Sequence, residues 1–316
     1  MQLRPFGPTG LKVTPLCVGA APLGSMPDSF AYEVSEPQAL ETLRAFFKSP
    51  INFLDTAASY GHGESERRIG LVLKELGGVP KGVVIASKCD RDFKTGDFSG
   101  DQMRRSIDRS FELLGVSRIP IMYLHDPEWT TFENVMAKGG PLEVMRLYKD
   151  RGLVECIGVA GGPVDMEIRY VETGAFDALI THNRYTLLNR SADRLIQIAH
   201  DRGMAVMNAA PYGSGVLAKG PAAYPRYAYQ DMSAEMRTRV EKMDAICKEH
   251  KVPLAAAALQ FSMRDPRITS TIIGMSKPER MAQTVKLAET PISEEIWARL
   301  DAVGYDSVDP EAERWK

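Results

Sequence analysis

Four acid–base residues of this 316-residue chain stand where hydrophobic runs give way to polar loops. Asp55 closes Asn52-Phe-Leu-Asp55, and Tyr60 follows in Thr56-Ala-Ala-Ser-Tyr60-Gly61. Lys88 closes Val83-Val-Ile-Ala-Ser-Lys88, and His125 closes Ile119-Pro-Ile-Met-Tyr-Leu-His125. A carboxylate, a phenol, an ammonium and an imidazole at three strand ends point to one shared site for proton chemistry. The fold that gathers strand C-termini is a barrel of parallel strands, whose C-terminal mouth carries the chemistry.

The rest of the chain reads as such a barrel. Short β-rich runs recur at 15–20, 52–56, 83–88, 119–125, 154–160, 178–182, 205–209 and 270–274. Between them, apolar residues repeat at helical spacing. Met103, Ile107, Phe111 and Leu114 form one face that Gly115 ends; Ile69, Val72, Leu73 and Leu76 form another; Leu195, Ile198 and Ala199 precede Gly203. Strands that are apolar throughout and separated by helices indicate a parallel sheet covered on both faces. Eight such units predict one closed (β/α)8 TIM-barrel domain over residues 1–316. Residues 3–14 read as an N-terminal β-hairpin turning at Pro8-Thr-Gly10. Extra helices near the C-terminus are expected over 233–250 and 253–263, after a long Gly/Pro/Tyr-rich loop over 213–231 of the kind that binds ligands.

Composition excludes several classes. A formal net charge of −2 and a pI of about 6.3 offer no basic field for nucleic acid or an anionic membrane. No apolar run approaches the ~18 residues of a membrane span. Met1-Gln-Leu-Arg-Pro-Phe-Gly lacks the apolar run of a signal peptide. Cys17, Cys89, Cys156 and Cys247 have no metal-type spacing, and Cys17 and Cys156 fall inside strands, so a reduced, cytoplasmic protein is expected. Cys89 follows Lys88 directly; alternation turns it to the opposite face, as a bystander. A metal-dependent barrel hydrolase would need clustered ligands such as H-x-H, and none of the five histidines is so placed. No metal is expected.

An anion site is legible near the end. No G-x-G-x-x-G follows the first strand run. Pro211-Tyr212-Gly213-Ser214-Gly215-Val-Leu217 follows the seventh, and its glycines allow close approach of a phosphate. Ser276-Lys-Pro-Glu279 follows the eighth and reads as a capping box with proline in the first turn. The helix it opens would offer its N-terminus to an anion. Arg280 is placed to pair bidentately with a further phosphate. Phosphate sites after strands seven and eight recur in barrel enzymes.

Taken together, these residues resemble the aldo-keto reductases. The likeness covers nearly the whole chain and is carried by Phe53-Leu-Asp55-Thr-Ala-Ala-Ser-Tyr60-Gly-His-Gly-Glu64-Ser-Glu66, then Lys88, then His125-Asp126. Leu124-His-Asp126 and Thr181-His-Asn183-Arg-Tyr-Thr-Leu-Leu188 resemble the branch that holds aldose 1-dehydrogenases and pyridoxal dehydrogenase.

The resemblance implies NADP or NAD as cofactor and Asp55, Tyr60, Lys88 and His125 as the catalytic tetrad. Tyr60 would exchange the proton. Lys88 would lower its pKa from near ~10. Asp55 would hold Lys88, and His125 would orient the substrate oxygen. Cofactor contacts would come from Gly19, Ala20, Asp55, Asn183, Pro211, Tyr212, Gly213, Ser214, Gly215, Leu217, Gly274, Ser276, Arg280, Gln283 and Thr284. Five positions depart from the family: Ala160-Gly161 replace a Ser-Asn pair, His182 a glutamine, Ala209 an aromatic, and Met275 a lysine. Asn183 or His182 is therefore expected to hold the nicotinamide amide. With Met275 in place of lysine, use of both NAD and NADP is expected. Asp126 is expected to accept hydroxyls of a polyol, with Trp129, His62 and Tyr185 forming walls around a sugar. The activity implied is oxidation of an aldose at C1 to a lactone. Alternatives are general aldehyde or ketone reduction, or a non-catalytic NADP-binding regulatory subunit. A small-molecule substrate and a monomer or weak homo-oligomer are expected.

Overall fold

A computed structural model describes residues 1–30, 32–228 and 230–312. Eight parallel strands close a barrel: β1 Leu16–Gly19, β2 Phe53–Asp55, β3 Val84–Cys89, β4 Ile119–His125, β5 Val154–Ala160, β6 Ala178–His182, β7 Ala205–Ala209 and β8 Ser270–Gly274. Each pairs with its neighbours in sequence, and β8 returns to β1 with Gly274 opposite Gly19. The last five strands have the expected bounds; the first three are shorter or shifted by a residue. The surrounding helices are α1 Glu36–Phe47, α2 Glu64–Glu75, α3 Gly100–Leu114, α4 Pro141–Asp150, α5 Val164–Glu172, α6 Asp193–Asp201, α7 Ala234–Glu249, α8 Leu254–Met263, α9 Glu279–Glu289 and α10 Glu294–Ala302.

Local signals account for the helix ends. Ser99 caps α3 by accepting from the Gln102 N–H, and Gly115 closes it at φ 65°. Ser233 and Ser293 cap α7 and α10 in the same way. The hairpin forms between Arg4–Pro5 and Lys12–Val13. It plugs the bottom of the barrel: Phe6 is fully buried, with its ring edge-on to Phe53 at 5.8 Å.

The stretch 213–231 is more ordered than an open loop. It contains a tight turn at Gly213–Gly215, a single helical turn at Val216–Lys219, and a short ribbon of Arg226–Tyr227 against Gln230–Asp231. Tyr227 anchors it from within. Its hydroxyl donates to the Asn183 carbonyl at 2.6 Å and lies 2.9 Å from Thr186 Oγ1. Gly213 makes room, since a Cβ there would sit 2.5 Å from the Tyr227 ring. No helix among the described residues is long and apolar enough to cross a membrane.

Candidate active site

Strand alternation does the first positioning. Phe53 and Asp55, Ala86 and Lys88, and Tyr123 and His125 are pairs two residues apart, so each pair shares the face turned into the barrel. Phe53, Ala86 and Tyr123 pack in the barrel interior, and the polar member of each pair stands one layer above, at the mouth. Cys89 faces outward into the layer under the helices, as expected, with Sγ 3.4 Å from the Tyr123 carbonyl.

Lys88 is the hub. Nζ donates to Asp55 Oδ1 at 2.6 Å, to the Thr56 carbonyl at 2.8 Å and to Tyr60 Oη at 3.1 Å. Those contacts use all three ammonium protons. Burial alone would lower this lysine, but Asp55 and Tyr60 hold it above its ordinary range. Tyr60 reaches the hub because its loop lies directly on the turn at Ala21–Gly24. A Cβ on Gly61, at φ 61°, would stand 2.0 Å from the Gly24 carbonyl oxygen, so no other residue fits there.

The Tyr60 phenol departs from expectation. Burial raises its pKa, Lys88 lowers it, Asp55 opposes Lys88, and the net shift is upward. Desolvation of the phenolate outweighs one ammonium whose charge is already shared with Asp55. Tyr60 is therefore a phenol at neutral pH, set to donate a proton.

His125 stands edge-on to Tyr60 at 5.8 Å between ring centres. Its Nδ1 is 2.7 Å from Asp90 Oδ1, and its Nε2 is 3.5 Å from Asp126 Oδ1. Burial would lower the imidazole, but Asp126 and Asp90 raise it to about 9. At neutral pH it is an imidazolium.

The mouth residues divide. Asp126 opens the tight turn Pro127–Trp129 at φ 46° and leaves its carboxylate partly exposed. Trp129 is half-exposed, with the Arg91 guanidinium 3.8 Å from its ring; Arg91 also covers Phe93. His62 is exposed and edge-on to Phe93 at 6.2 Å. Tyr185 does not line the mouth. It is buried, and its hydroxyl donates to Asp265 Oδ2 at 2.5 Å, with its ring against Phe261 of α8. It borders a separate cavity with Arg267 and Trp297 on the outer side of the barrel. The chain turns outward after Asn183, and the Tyr185 carbonyl is fixed there by Asn208 Nδ2 at 2.7 Å.

Ser276 is a second correction. It does not cap α9. The helix begins at Glu279 behind Pro278, and no side chain caps it. Its first turn is closed by backbone bonds from Arg280 N–H to the Lys277 carbonyl and from Met281 N–H to the Pro278 carbonyl. Ser276 thus lies too early in the chain to cap. It is buried, and its carbonyl accepts from Gln38 Nε2 of α1 at 2.6 Å.

Sequence reading missed two features. Asp90 lies two residues past Lys88, and that i+2 spacing was the available signal. Arg184 is fully buried and pairs with Asp309 at 2.9 Å and Glu311 at 3.1 Å, so the chain beyond α10 folds back onto the mouth. Nothing local in the sequence links residues 125 or more apart.

The sequence pattern of the Aldo/keto reductase family matches residues 15–304. The chain belongs to that family. It is an oxidoreductase that works with NAD or NADP. This aldo-keto reductase is 30% identical to pyridoxal 4-dehydrogenase of Microbacterium luteolum, over 97% of its own chain and 98% of the relative. It is 30% identical to L-galactose dehydrogenase of Arabidopsis thaliana (96% and 94% covered) and 31% identical to D-threo-aldose 1-dehydrogenase of a Pseudomonas species (92% and 94% covered). In fold it resembles an aldo-keto reductase of Bacillus halodurans in its holo form, with a TM-score of 0.81 at 20% identity over 99% of both chains.

The residues of this aldo-keto reductase fit a nicotinamide nucleotide. Asn183 Oδ1 accepts from Ser214 Oγ at 3.1 Å, while its buried Nδ2 has no partner among the described residues. A buried amide donor left open suits a carboxamide oxygen. His182 turns elsewhere, with Nε2 3.5 Å from Glu311 Oε2. A side chain at Gly161 has little room, since a Cβ would lie 3.1 Å from Glu128 Oε2. At the other end, the Tyr212 phenol in the turn after β7 feels the charge of Arg280 on α9; burial still carries it up to about 12. Arg280 is half-buried, Thr284 buried and Gln283 exposed. Among the described residues no cluster of His, Cys, Asp and Glu could hold a metal ion.

Proposed function

We propose that this aldo-keto reductase oxidises an aldose at C1 to the lactone. The observation that carries the reading is the Asp126 carboxylate, 3.5 Å from His125 Nε2 and 36% exposed. A carboxylate beside the reacting oxygen accepts hydroxyl hydrogens, and a sugar presents several. The names of two relatives, an L-galactose and a D-threo-aldose dehydrogenase, support the same substrate class.

When bound, nicotinamide supplies the hydride acceptor. The protein handles the proton. His125 Nε2–H orients the substrate oxygen by a charge-assisted hydrogen bond. Tyr60 Oη exchanges the hydroxyl proton, Lys88 stabilises the phenolate, and Asp55 holds Lys88 in place. Asn183 would hold the carboxamide. Gly19, Ala20 and Gly274 would border the cofactor at the barrel rim. The segment from Pro211 through Gly215 to Leu217, with Ser276, Arg280, Gln283 and Thr284, would take the phosphates and adenosine.

Carbonyl reduction through the same atoms is the second reading. Tyr60 and His125 are both protonated at neutral pH, which favours proton donation there and pushes oxidation towards alkaline pH. Absorbance at the nicotinamide band decides between them, using aldoses, pyridoxal and aromatic aldehydes in both directions with NAD and with NADP. Aldose oxidation is the expected result. Turnover of aldehydes with no turnover of any aldose would overturn the first reading.

Two variants refine it. Asp126→Ala should lower kcat/KM for aldoses by the ~1.5–3 kcal/mol of a charged hydrogen bond, and much less for aromatic aldehydes. Equal losses would assign Asp126 to the catalytic machinery. Arg280→Ala should weaken NADP binding by roughly 10-fold or more, because a guanidinium grips a 2′-phosphate and gains little from a ribose hydroxyl. NAD binding should barely change. Fluorescence titration of both cofactors reads this directly, and equal losses would place Arg280 on the shared part of the dinucleotide.

A further inference from the structure

We infer that Asp90 is a positioning residue that ties His125 to the Tyr60 loop and fixes which imidazole nitrogen faces the substrate. This rests on the proposed roles of His125 and Tyr60 at the substrate oxygen. Asp90 is 4% exposed and anchored by its backbone. Its N–H donates to Ser106 Oγ at 3.0 Å, and its carbonyl accepts from Gln102 Nε2 at 3.0 Å, both from α3. Its two carboxylate oxygens then serve two neighbours. Oδ1 is 2.7 Å from His125 Nδ1. Oδ2 accepts from the N–H of Ser59, the residue before Tyr60, at 2.9 Å. One buried carboxylate thus spans the loop that carries the phenol and the strand that carries the imidazole.

The chemistry follows from donor counting. An ionised carboxylate accepts hydrogen bonds and donates none, so His125 Nδ1 must carry a proton. Ser59 Oγ, 3.3 Å from the same nitrogen, can accept as well. Nε2 is the nitrogen left for the substrate, and in the imidazolium it too is a donor. The other groups around the ring are Asp126 at Nε2, Asp55, Lys88 and Tyr60 of the hub, and Glu128 and Arg91 beyond Asp126. Of the two carboxylates in contact, Asp90 is the nearer and the better shielded, with 5% side-chain exposure against 36% for Asp126. Water and salt screen Asp126 more.

The test is Asp90→Asn, which keeps the shape and removes the charge. NMR of the imidazoles is tractable with five histidines, and His125→Gln assigns the signal by its loss. In the wild type, His125 should titrate near pH 9. In Asp90→Asn its midpoint should fall by ~1 unit or more, the usual effect of removing an adjacent opposite charge. Turnover should fall by roughly 10-fold or more with cofactor affinity kept, the scale of weakened acid–base catalysis. An unmoved midpoint, or one moved by Asp126→Asn and not by Asp90→Asn, would overturn the assignment. Should Asp90→Asn fail to fold, the neutral tautomer of wild-type His125, read from its nitrogen shifts above the midpoint, decides: Nδ1–H is expected, and Nε2–H would overturn it. The shifts test the Asp90 assignment independently of turnover. Unimpaired turnover in His125→Gln would instead sink the functional reading.

Discussion

Tyr60→Phe should leave the barrel folded and the cofactor bound, and cut turnover by roughly 10²-fold or more, the scale of lost acid–base catalysis. The substitution removes one oxygen. The ring keeps its edge-on contact with His125, and Lys88 keeps Asp55 and the Thr56 carbonyl as acceptors. What disappears is the group through which the buried ammonium can act on a substrate proton. Lys88 is 2% exposed, and among the described residues its side-chain partners are Asp55, itself 3% exposed, and Tyr60, so Tyr60 is the group that can relay its charge to the mouth. Cofactor titration should match the wild type while the rate of hydride transfer in a single turnover falls. Near-wild-type turnover on the true substrate would remove Tyr60 from the chemistry and shift attention to His125.

The upward shift of Tyr60 gives that expectation a pH dependence. Oxidation needs the phenolate, so its rate should climb with alkalinity. Reduction needs the phenol and should hold through neutrality. The expectation that the resemblance carried, an ammonium lowering a phenol, holds for Lys88 itself, but burial turns the net direction upward. It left out burial, which no pair of residue types reports.

The barrel was legible because its signals are local. Val84–Cys89 and Ile119–His125 announce themselves as short apolar runs, and the period of two along them puts Lys88 and His125 on the same face as Ala86 and Tyr123. Ser276 misled for a related reason. A serine three residues ahead of a glutamate is a sound capping signal, but the structure spends the first turn behind Pro278 on backbone bonds. Tyr185 misled because a residue just past a strand end can follow the chain outward as readily as face the mouth. Asp90 carried a readable spacing. The partners of Arg184 carried none, since Asp309 and Glu311 arrive from the far end of the chain and are chosen by topology.

That Arg184 cluster yields the largest expected loss of stability. Arg184 is fully buried, donates through Nε to Asp309 Oδ2 and through Nη1 to Glu311 Oε2, and lies within the charge field of Glu167 and Glu128. Burial pushes Glu167 well above the carboxylate range and carries Glu128 up to about 7, while Arg184 opposes both shifts and pairs directly with Asp309 and Glu311. Arg184→Met removes the cation and leaves the acids. Breaking a buried pair by removing one partner costs ~3–5 kcal/mol, and the variant should unfold at a correspondingly lower urea concentration. The loss should also depend on pH. Without Arg184, which opposes the upward shifts of Glu128 and Glu167, the folded-state pKa values of those two carboxyls rise further. A carboxyl raised in the folded state binds its proton more tightly there than in the unfolded chain. It therefore favours folding in acid, and that advantage is lost as pH rises through the raised value. The deficit of Arg184→Met against the wild type should accordingly be larger at neutral pH than in mild acid. Urea midpoints measured at both would show it; an equal deficit at the two pH values would mean that Arg184 stabilises the chain by filling space and not by its charge.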